Sequence, residues 1–226
     1  MRRLVTGIAA TTLIAVTAAC DPALLLPTDP PPVQAPASTV VEGDSIDVQW
    51  ATSGGTDAFP GVYVHAGNGW AMTACLPVGC TTPLDDARAM TDAGLADRQV
   101  WMIGTNDAAG GFSQAEANGW ATAMFDPPAE TCEVWVEPWV TAPQPPEFIA
   151  AVNQVRAWIE QIAPLRPNTV VIDWAPYAQR PGVLGFDGVH LATVDNTNMA
   201  YVTSEAVQAR SDIIRDGLAQ CPGGAS

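Results

Sequence analysis

The chain has 226 residues, which is long enough for one domain with a sizeable core and some additional sequence. It contains nine arginines, no lysine and 24 acidic residues, and its net charge is −15. Such an acidic surface repels phosphate groups and anionic lipid headgroups, so we expect no nucleic acid partner. His65 and His190 are the only histidines, so any histidine-dependent chemistry has two candidates.

Residues 1–20 have the pattern of an export signal. Two arginines precede an apolar run that is too short for a transmembrane helix and typical of a signal peptide. The run ends at Cys20, and the small residues before it resemble a bacterial lipoprotein signal, in which such a cysteine receives lipid and becomes the mature N-terminus. Thr17 stands where a larger aliphatic residue is usual, and ordinary signal cleavage nearby is the alternative.

Residues 21–38 are rich in proline and include the run Pro30-Pro31-Pro32. This composition cannot form a core and favours an extended chain. We predict a linker that holds a domain of residues 39–226 away from a membrane. The lipid anchor would be the only membrane contact, because no other segment is apolar enough to cross a bilayer.

Four cysteines follow the linker: Cys75, Cys80, Cys132 and Cys221. An even number in an exported chain indicates two disulfide bonds, for which three pairings are possible. We favour Cys75–Cys80, which closes a small loop, together with Cys132–Cys221, which ties down the C-terminus. A metal site is the competing interpretation, but no Cys-x-x-Cys spacing or nearby histidine supports it. We therefore expect no metal and no cofactor.

Strand-like and helix-like segments alternate along the rest of the chain. Five short segments that are apolar on both faces predict strands at 39–42, 61–65, 99–103, 132–136 and 168–173. Helices are predicted between and after them, at 47–51, 82–94, 113–125, 146–162 and 197–218. This alternation is typical of a parallel sheet covered by helices on both sides. We predict a single three-layer α/β/α domain with a central, mostly parallel five-stranded sheet.

Short polar motifs follow the first three predicted strands. They are Gly43-Asp44-Ser45, the segment 67–69, and Gly104-Thr105-Asn106-Asp107. The carboxyl ends of the strands form the edge at which open α/β sheets bind ligands. A fourth motif, Asp187-Gly188-Val189-His190, lies before the last helix. Taken alone, Gly-Asp-Ser or Asn-Asp would indicate no more than a turn.

The chemistry of serine explains why these motifs belong together. A serine hydroxyl is a weak nucleophile and needs a base within hydrogen-bond reach. His190 is the better candidate, because its loop turns sharply and carries Asp187 three residues earlier, where a carboxylate can orient the imidazole. A salt bridge confined to the loop is the alternative. His65 ends an apolar strand and is expected to be structural or to lie at the rim of the cleft.

In their order and spacing over residues 39–220, the four motifs resemble those of the SGNH (GDSL-type) hydrolase family. The resemblance implies a flavodoxin-like fold and a catalytic triad of Ser45, Asp187 and His190. The one departure in the first motif is Ile46, which stands where leucine is common.

The same resemblance implies an oxyanion hole. Its donors would be the side-chain amide of Asn106 and the backbone N–H groups of Ser45 and Gly69. Gly67 is the alternative to Gly69, and Asn106 could instead cap a turn. Trp70, directly after the glycine, is the best of the eight tryptophans for stacking on a sugar ring.

We therefore expect a monomeric serine esterase, exported and anchored by lipid or secreted, that acts through an acyl-serine intermediate. The fold does not specify the substrate, which is a small-molecule or glycan ester. Short acyl esters, above all acetyl esters, of cell-envelope or environmental glycans are the first expectation, and lipid esters are the second. Acyl transfer by the same triad and a non-catalytic glycan-binding lipoprotein are the alternatives.

Overall fold

The computed structural model of the chain describes three ranges of residues: 39–77, 79–195 and 201–222. The predicted signal peptide with Cys20 and the predicted linker lie outside the described residues. Within these ranges, no helix combines the length and the apolar character that crossing a bilayer requires.

Five strands form one parallel sheet. They are β1 (Thr39–Gly43), β2 (Val62–Ala66), β3 (Arg98–Met102), β4 (Cys132–Glu137) and β5 (Thr169–Asp173). Their order across the sheet is β2-β1-β3-β4-β5, and every neighbouring pair is parallel. All five predicted strands are confirmed, each within one residue at either end. The order is that of the flavodoxin-like sheets, whose ligand crevice opens beside β1 and β3.

Seven α-helices accompany the strands in the described residues. They are α1 (Ser45–Thr52), α2 (Pro83–Asp92), α3 (Thr105–Gly110), α4 (Gln114–Phe125), α5 (Pro146–Ile162), α6 (Ala175–Ala178) and α7 (Ser204–Ala219). The last helix was predicted to run from 197; that residue lies outside the described residues, but 201–203 are not helical and the helix begins at Ser204. The Thr203 hydroxyl accepts the N–H of Ala206 and begins the helix there. The short helices α3 and α6 were not predicted, since neither is long enough to show periodicity.

The helices cover both faces of the sheet. The ring of Trp135 in β4 lies 5.3 Å from that of Trp120 in α4. A Cβ added to Gly217 in α7 would lie only 2.4 Å from the neighbouring strand residue, Val134. Because successive residues of a strand face opposite sides, α4 and α7 belong to opposite layers. The predicted three-layer α/β/α fold is therefore confirmed.

Both disulfide bonds have the pairing favoured from the sequence. Cys75 bonds to Cys80, and Cys132 at the start of β4 bonds to Cys221 just after α7. The Cα atoms of the two pairs lie 6.0 and 5.7 Å apart, which is usual for disulfides. With all four cysteines bonded, the competing idea of a cysteine metal site is ruled out.

Candidate active site

Ser45 is the first residue of α1, directly beyond the carboxyl end of β1. Asp44 caps the helix, and its Oδ1 accepts the N–H of Ile46 at 2.9 Å. Gly43 is needed at the end of the strand, because an added Cβ would lie 2.4 Å from the Cβ of Asp47. The sharp strand-to-helix turn leaves the Ser45 side chain partly exposed at the edge of the sheet.

A buried ion pair holds this turn against α7. Asp47 accepts hydrogen bonds from Nε and Nη2 of Arg210, at 2.8 and 3.0 Å. Both side chains are almost wholly buried, and the guanidinium carbon lies 4.9 Å from the centre of the Trp174 ring. A two-point carboxylate–guanidinium contact of this kind fixes orientation as well as distance. The N-terminus of α1 is thereby held in place.

The structure brings Ser45, His190 and Asp187 together in one chain of hydrogen bonds. Ser45 Oγ lies 3.0 Å from His190 Nε2, although the two residues are 145 positions apart. The other ring nitrogen, Nδ1, lies 2.7 Å from Asp187 Oδ2. This is the geometry that a nucleophile, a general base and an orienting carboxylate require.

The loop that carries His190 is shaped around the Asp187 carboxylate. Oδ1 of Asp187 accepts the backbone N–H groups of Val189 and His190, each at 3.0 Å. Gly188 has a φ of +70°, and a Cβ there would lie 2.5 Å from the Thr141 carbonyl oxygen. Only glycine fits this approach, so the loop can close against the segment that follows β4.

The pKa shifts of Asp187 and His190 suit a histidine base that is oriented by an ionised carboxylate. Burial acts to raise the pKa of Asp187, but the hydrogen bonds from the His190 side chain and the Val189 N–H outweigh it and lower the pKa to about 2. Burial acts to lower the pKa of His190, but the hydrogen bond and charge of Asp187 outweigh it and raise the pKa above its usual value. Asp187 is therefore ionised at neutral pH.

Two of the segments expected to form an oxyanion hole, those of Asn106 and Gly69, are joined by a hydrogen bond. The Asn106 amide donates to the carbonyl of Trp70 at 2.9 Å, which joins the start of α3 to the loop after β2. Gly69 is exposed with a φ of +74°, whereas a Cβ on Gly67 would lie 2.0 Å from the Trp70 indole. The N–H groups of Ser45 and Gly69 donate to no acceptor in the described residues.

The side chain of Asp107, the residue after Asn106, holds this region in place through hydrogen bonds. It is fully buried, and its Oδ1 accepts the N–H of Met72 at 3.1 Å and the indole N–H of Trp120 at 2.8 Å. These bonds tie the loop after β2 to α3 and α4. The position of Asn106 relative to that loop is therefore fixed.

Two expectations concerning aromatic side chains near the site have different outcomes. His65 hydrogen-bonds to Glu42, with its Nδ1 2.8 Å from Oε2, which agrees with a structural role. Trp70 is only 8% exposed, and its indole N–H donates to the carbonyl of Leu76 at 3.0 Å. The idea that Trp70 stacks on a sugar ring is therefore wrong, because too little of the side chain is exposed.

Gln49 is a site residue that the sequence analysis missed. It lies one helical turn after Ser45, and its Oε1 accepts the backbone N–H of Leu191 at 3.0 Å. The helix that carries Ser45 thus also holds the residue next to His190. Half of the residues of α1 are polar, so no signal in the sequence set Gln49 apart.

No protein-family model matches the chain, and no curated protein matches it. Several solved structures, however, are similar in fold. One is the catalytic domain of peptidoglycan O-acetyltransferase A from Streptococcus pneumoniae, solved with a methylsulfonyl adduct. Its TM-score is 0.62 at 18% identity, over 80% of this chain and 92% of that one.

Two further structures extend the comparison. A putative acylhydrolase from Bacteroides fragilis has a TM-score of 0.56 at 17% identity, over 83% of this chain and 88% of that one. A member of the lipolytic G-D-S-L family from Veillonella parvula has a TM-score of 0.57 at 13% identity, over 80% and 98%. The chain therefore has the three-layer fold of the SGNH (GDSL-type) hydrolases, as its motifs predicted.

Proposed function

We propose that this protein is a serine esterase of the SGNH (GDSL) type, which hydrolyses carboxylic esters through an acyl-serine intermediate. The observation that carries the proposal is the unbroken series of hydrogen bonds from Ser45 through His190 to Asp187. It lies at the carboxyl edge of the sheet, where this class of fold binds ligands.

In the first step, Ser45 Oγ attacks the carbonyl carbon of the ester while His190 Nε2 takes the hydroxyl proton. The tetrahedral intermediate collapses when the carbon–oxygen bond to the alcohol breaks, and His190 returns the proton to the departing oxygen. A water molecule then attacks the acyl-serine, with His190 again as the base. This step releases the acid and restores the Ser45 hydroxyl. Asp187 remains ionised throughout and stabilises the transient imidazolium.

The negative charge that develops on the carbonyl oxygen requires preorganised donors. We assign this role to the Asn106 amide and to the N–H groups of Ser45 and Gly69. Support comes from the absence of protein acceptors for the two backbone groups in the described residues, and from the exposure of Gly69. Each such donor is typically worth about 3 kcal/mol in the transition state. Gly67 is less suited, because it is buried whereas Gly69 is exposed.

We propose short acyl esters of glycans outside the cell, acetyl esters first, as substrates, with lipid esters second. The similarity to a peptidoglycan O-acetyltransferase domain supports an acylated glycan. The two disulfide bonds support an oxidising compartment. The signal pattern and Cys20 support export with a lipid anchor. Replacing Cys20 by serine should then move the protein from the membrane fraction to the soluble fraction.

Acyl transfer to a sugar hydroxyl is the second candidate function, and the same structural similarity favours it. The acyl-Ser45 intermediate would be shared, and a hydroxyl group would replace water in the second step. Product analysis separates the two activities. Hydrolysis releases free acid in proportion to the ester consumed, whereas transfer yields an acylated acceptor.

The decisive experiment combines a chromogenic acetate ester with a serine-reactive phosphonate. The native protein should turn over the ester and carry one phosphonyl group on Ser45, located by peptide mass spectrometry. Ser45→Ala should lose at least about 10⁴-fold in kcat/KM and keep its melting temperature. Ser53→Ala, at the other end of α1, is the matched control and should retain activity. No turnover and no label in the native protein would instead favour a non-catalytic glycan-binding protein.

A further inference from the structure

A second cluster of titratable side chains lies beside the proposed active site. Glu42 in β1 and His65 in β2 are partners in the parallel ladder, and Asp86 in α2 faces both. His65 Nδ1 lies 2.8 Å from Glu42 Oε2 and 3.7 Å from Asp86 Oδ2. One nitrogen and two carboxylate oxygens thus lie within 4.8 Å of one another.

The cluster is short of positive charge and of hydrogen-bond donors. Glu42 is completely buried, and within the described part of the chain the hydrogen-bond partner of its side chain is His65, inside the cluster. Glu42 Oε1 and Asp86 Oδ2 are both buried without a hydrogen bond. Among the described residues, no arginine pairs with either carboxylate. Buried carboxylate oxygens are normally satisfied, so the arrangement calls either for a proton shared between the two carboxyl groups or for a bound cation.

We propose that Glu42, His65 and Asp86 bind a divalent metal ion, and that Zn²⁺ is the preferred one. A single ion held by one oxygen of each carboxylate and by the imidazole would offset the charge of the two carboxylates. Zinc accepts imidazole nitrogen and carboxylate oxygen at about 2.0–2.2 Å, which places tetrahedral ligand atoms roughly 3.4 Å apart. His65 Nδ1 lies 2.8 Å from Glu42 Oε2 and 3.7 Å from Asp86 Oδ2, and these two distances bracket that spacing.

The types of the three residues favour Zn²⁺ over other divalent ions, and their exposure allows an ion to enter. Mg²⁺ and Ca²⁺ prefer sites built from oxygen alone, and the imidazole disfavours both. Three protein ligands leave one tetrahedral position for a solvent molecule. The side chains of His65 and Asp86 are 14% and 13% exposed, which leaves a path for the ion from solvent.

The site would support the loop that carries the proposed oxyanion glycine. The His65 ring lies 4.6 Å from that of Trp70, and the Trp70 carbonyl accepts the Asn106 amide. A metal ion that joins β1, β2 and α2 would therefore stiffen the wall next to Gly69. The ion would stabilise the folded protein, because a ligand that binds only the folded state raises the melting temperature.

The main alternative is a single proton shared between Glu42 and Asp86. Metal titration distinguishes the two explanations. The test uses the full chain without a histidine tag and with Cys20→Ser, so that no free thiol is present. After removal of metal with a chelator, ZnCl₂ is titrated by calorimetry. We expect one ion per chain and a higher melting temperature.

Matched variants locate the ion. Glu42→Gln and His65→Gln should weaken Zn²⁺ binding at least tenfold. Asp85→Asn removes the same charge from the exposed position next to Asp86 and should bind Zn²⁺ like the parent protein. His190→Asn should also bind normally, which separates this site from the proposed active site.

A second measurement follows Zn²⁺ binding in the parent protein and uses a variant only to assign the signals. The chain has two histidines, so its imidazole NMR spectrum contains two sets of signals. Zn²⁺ should shift the set that disappears in His65→Gln and leave the other unchanged. The proposal is overturned if no saturable binding occurs below about 1 mM, if Glu42→Gln binds as tightly as the parent, or if only the His190 signals move.

Discussion

The side-chain oxygen of Gln49 accepts the backbone N–H of Leu191 at 3.0 Å, in a fully buried environment. Gln49 lies four residues after Ser45 in α1, and Leu191 directly follows His190. Ser45 and His190, which come from distant parts of the chain, are therefore both positioned by one helix. Such a link matters because small displacements of reacting groups are costly in rate.

We predict that Gln49→Met lowers kcat/KM by about 10- to 100-fold, mostly through kcat. The variant leaves the Leu191 N–H buried without an acceptor, which should also cost about 1–3 kcal/mol of unfolding free energy. Rates on a chromogenic ester and urea unfolding curves measure the two effects.

Ser211→Ala is the matched control for this variant. Ser211 accepts the indole N–H of Trp50 at 3.0 Å, which is another buried hydrogen bond between α1 and a distant element. Its loss should lower stability to a similar extent and leave the rate nearly unchanged. Equal loss of rate in both variants would show that Gln49 acts only through stability.

The pH dependence of kcat/KM should report the ionisation of His190. The imidazole acts as a base only when neutral, and Asp187 raises its pKa. The rate should therefore increase with pH and reach half its maximum above the usual histidine value of about 6.5. Asp187→Asn removes the charge that raises the pKa, so the midpoint should move to lower pH while the rate falls by up to about 10⁴-fold.

A rate that does not change between pH 5 and 8 would contradict His190 as the base. A midpoint unmoved in Asp187→Asn would contradict the coupling to Asp187. The Ser53→Ala variant should show the parent profile and serves as the control.

The two disulfide bonds should contribute unequally to stability. Cys132–Cys221 closes a loop with a sequence separation of 89, and Cys75–Cys80 one of 5. Loop entropy predicts about 4–5 kcal/mol for the first and about 2 kcal/mol for the second. Paired cysteine-to-serine variants, compared by urea unfolding, test this order. A larger loss from the small loop would mean that chain entropy in the unfolded state does not govern the difference.

The ionisation of Glu133 should lower the free energy of unfolding as the pH rises from about 5 to 8. Complete burial is the main cause that raises its pKa to about 8, so the folded state holds a proton that the unfolded state has already released. We expect the free energy of unfolding to fall by about 3 kcal/mol between pH 5.5 and 8 from this group alone.

Glu133→Gln provides the test, because the amide keeps an acceptor for the Trp101 indole N–H and has no proton to lose. The variant should show a clearly smaller decrease over this pH range. Glu147→Gln, at an exposed position in α5, is the control and should follow the parent protein. An unchanged slope in Glu133→Gln would place the pH dependence elsewhere, for example at buried Asp107, whose pKa burial raises to about 6.

Local patterns in the sequence predicted most of the fold. All five strands and α5 are found where the apolar patterns indicated, because strand and helix periods depend on neighbouring residues. The errors arose where the local structure depends on a contact with a residue outside the pattern. The start of α7 depends on a cap at Thr203, and the burial of Trp70 depends on the loop that folds over it.

The order of residues along the chain predicts that polar motifs follow the first three strands and that an Asp-x-x-His motif precedes the last helix. That these motifs meet at one place follows from how the elements pack. The strand order sets β1 between β2 and β3, and the loop at Gly188 packs where His190 reaches Ser45. The contacts of Gln49 with Leu191 and of Glu42 with His65 and Asp86 likewise could not be predicted from the sequence. The reason is physical: periodicity reports which face of its own element a residue occupies, whereas contacts between distant residues depend on how whole elements pack.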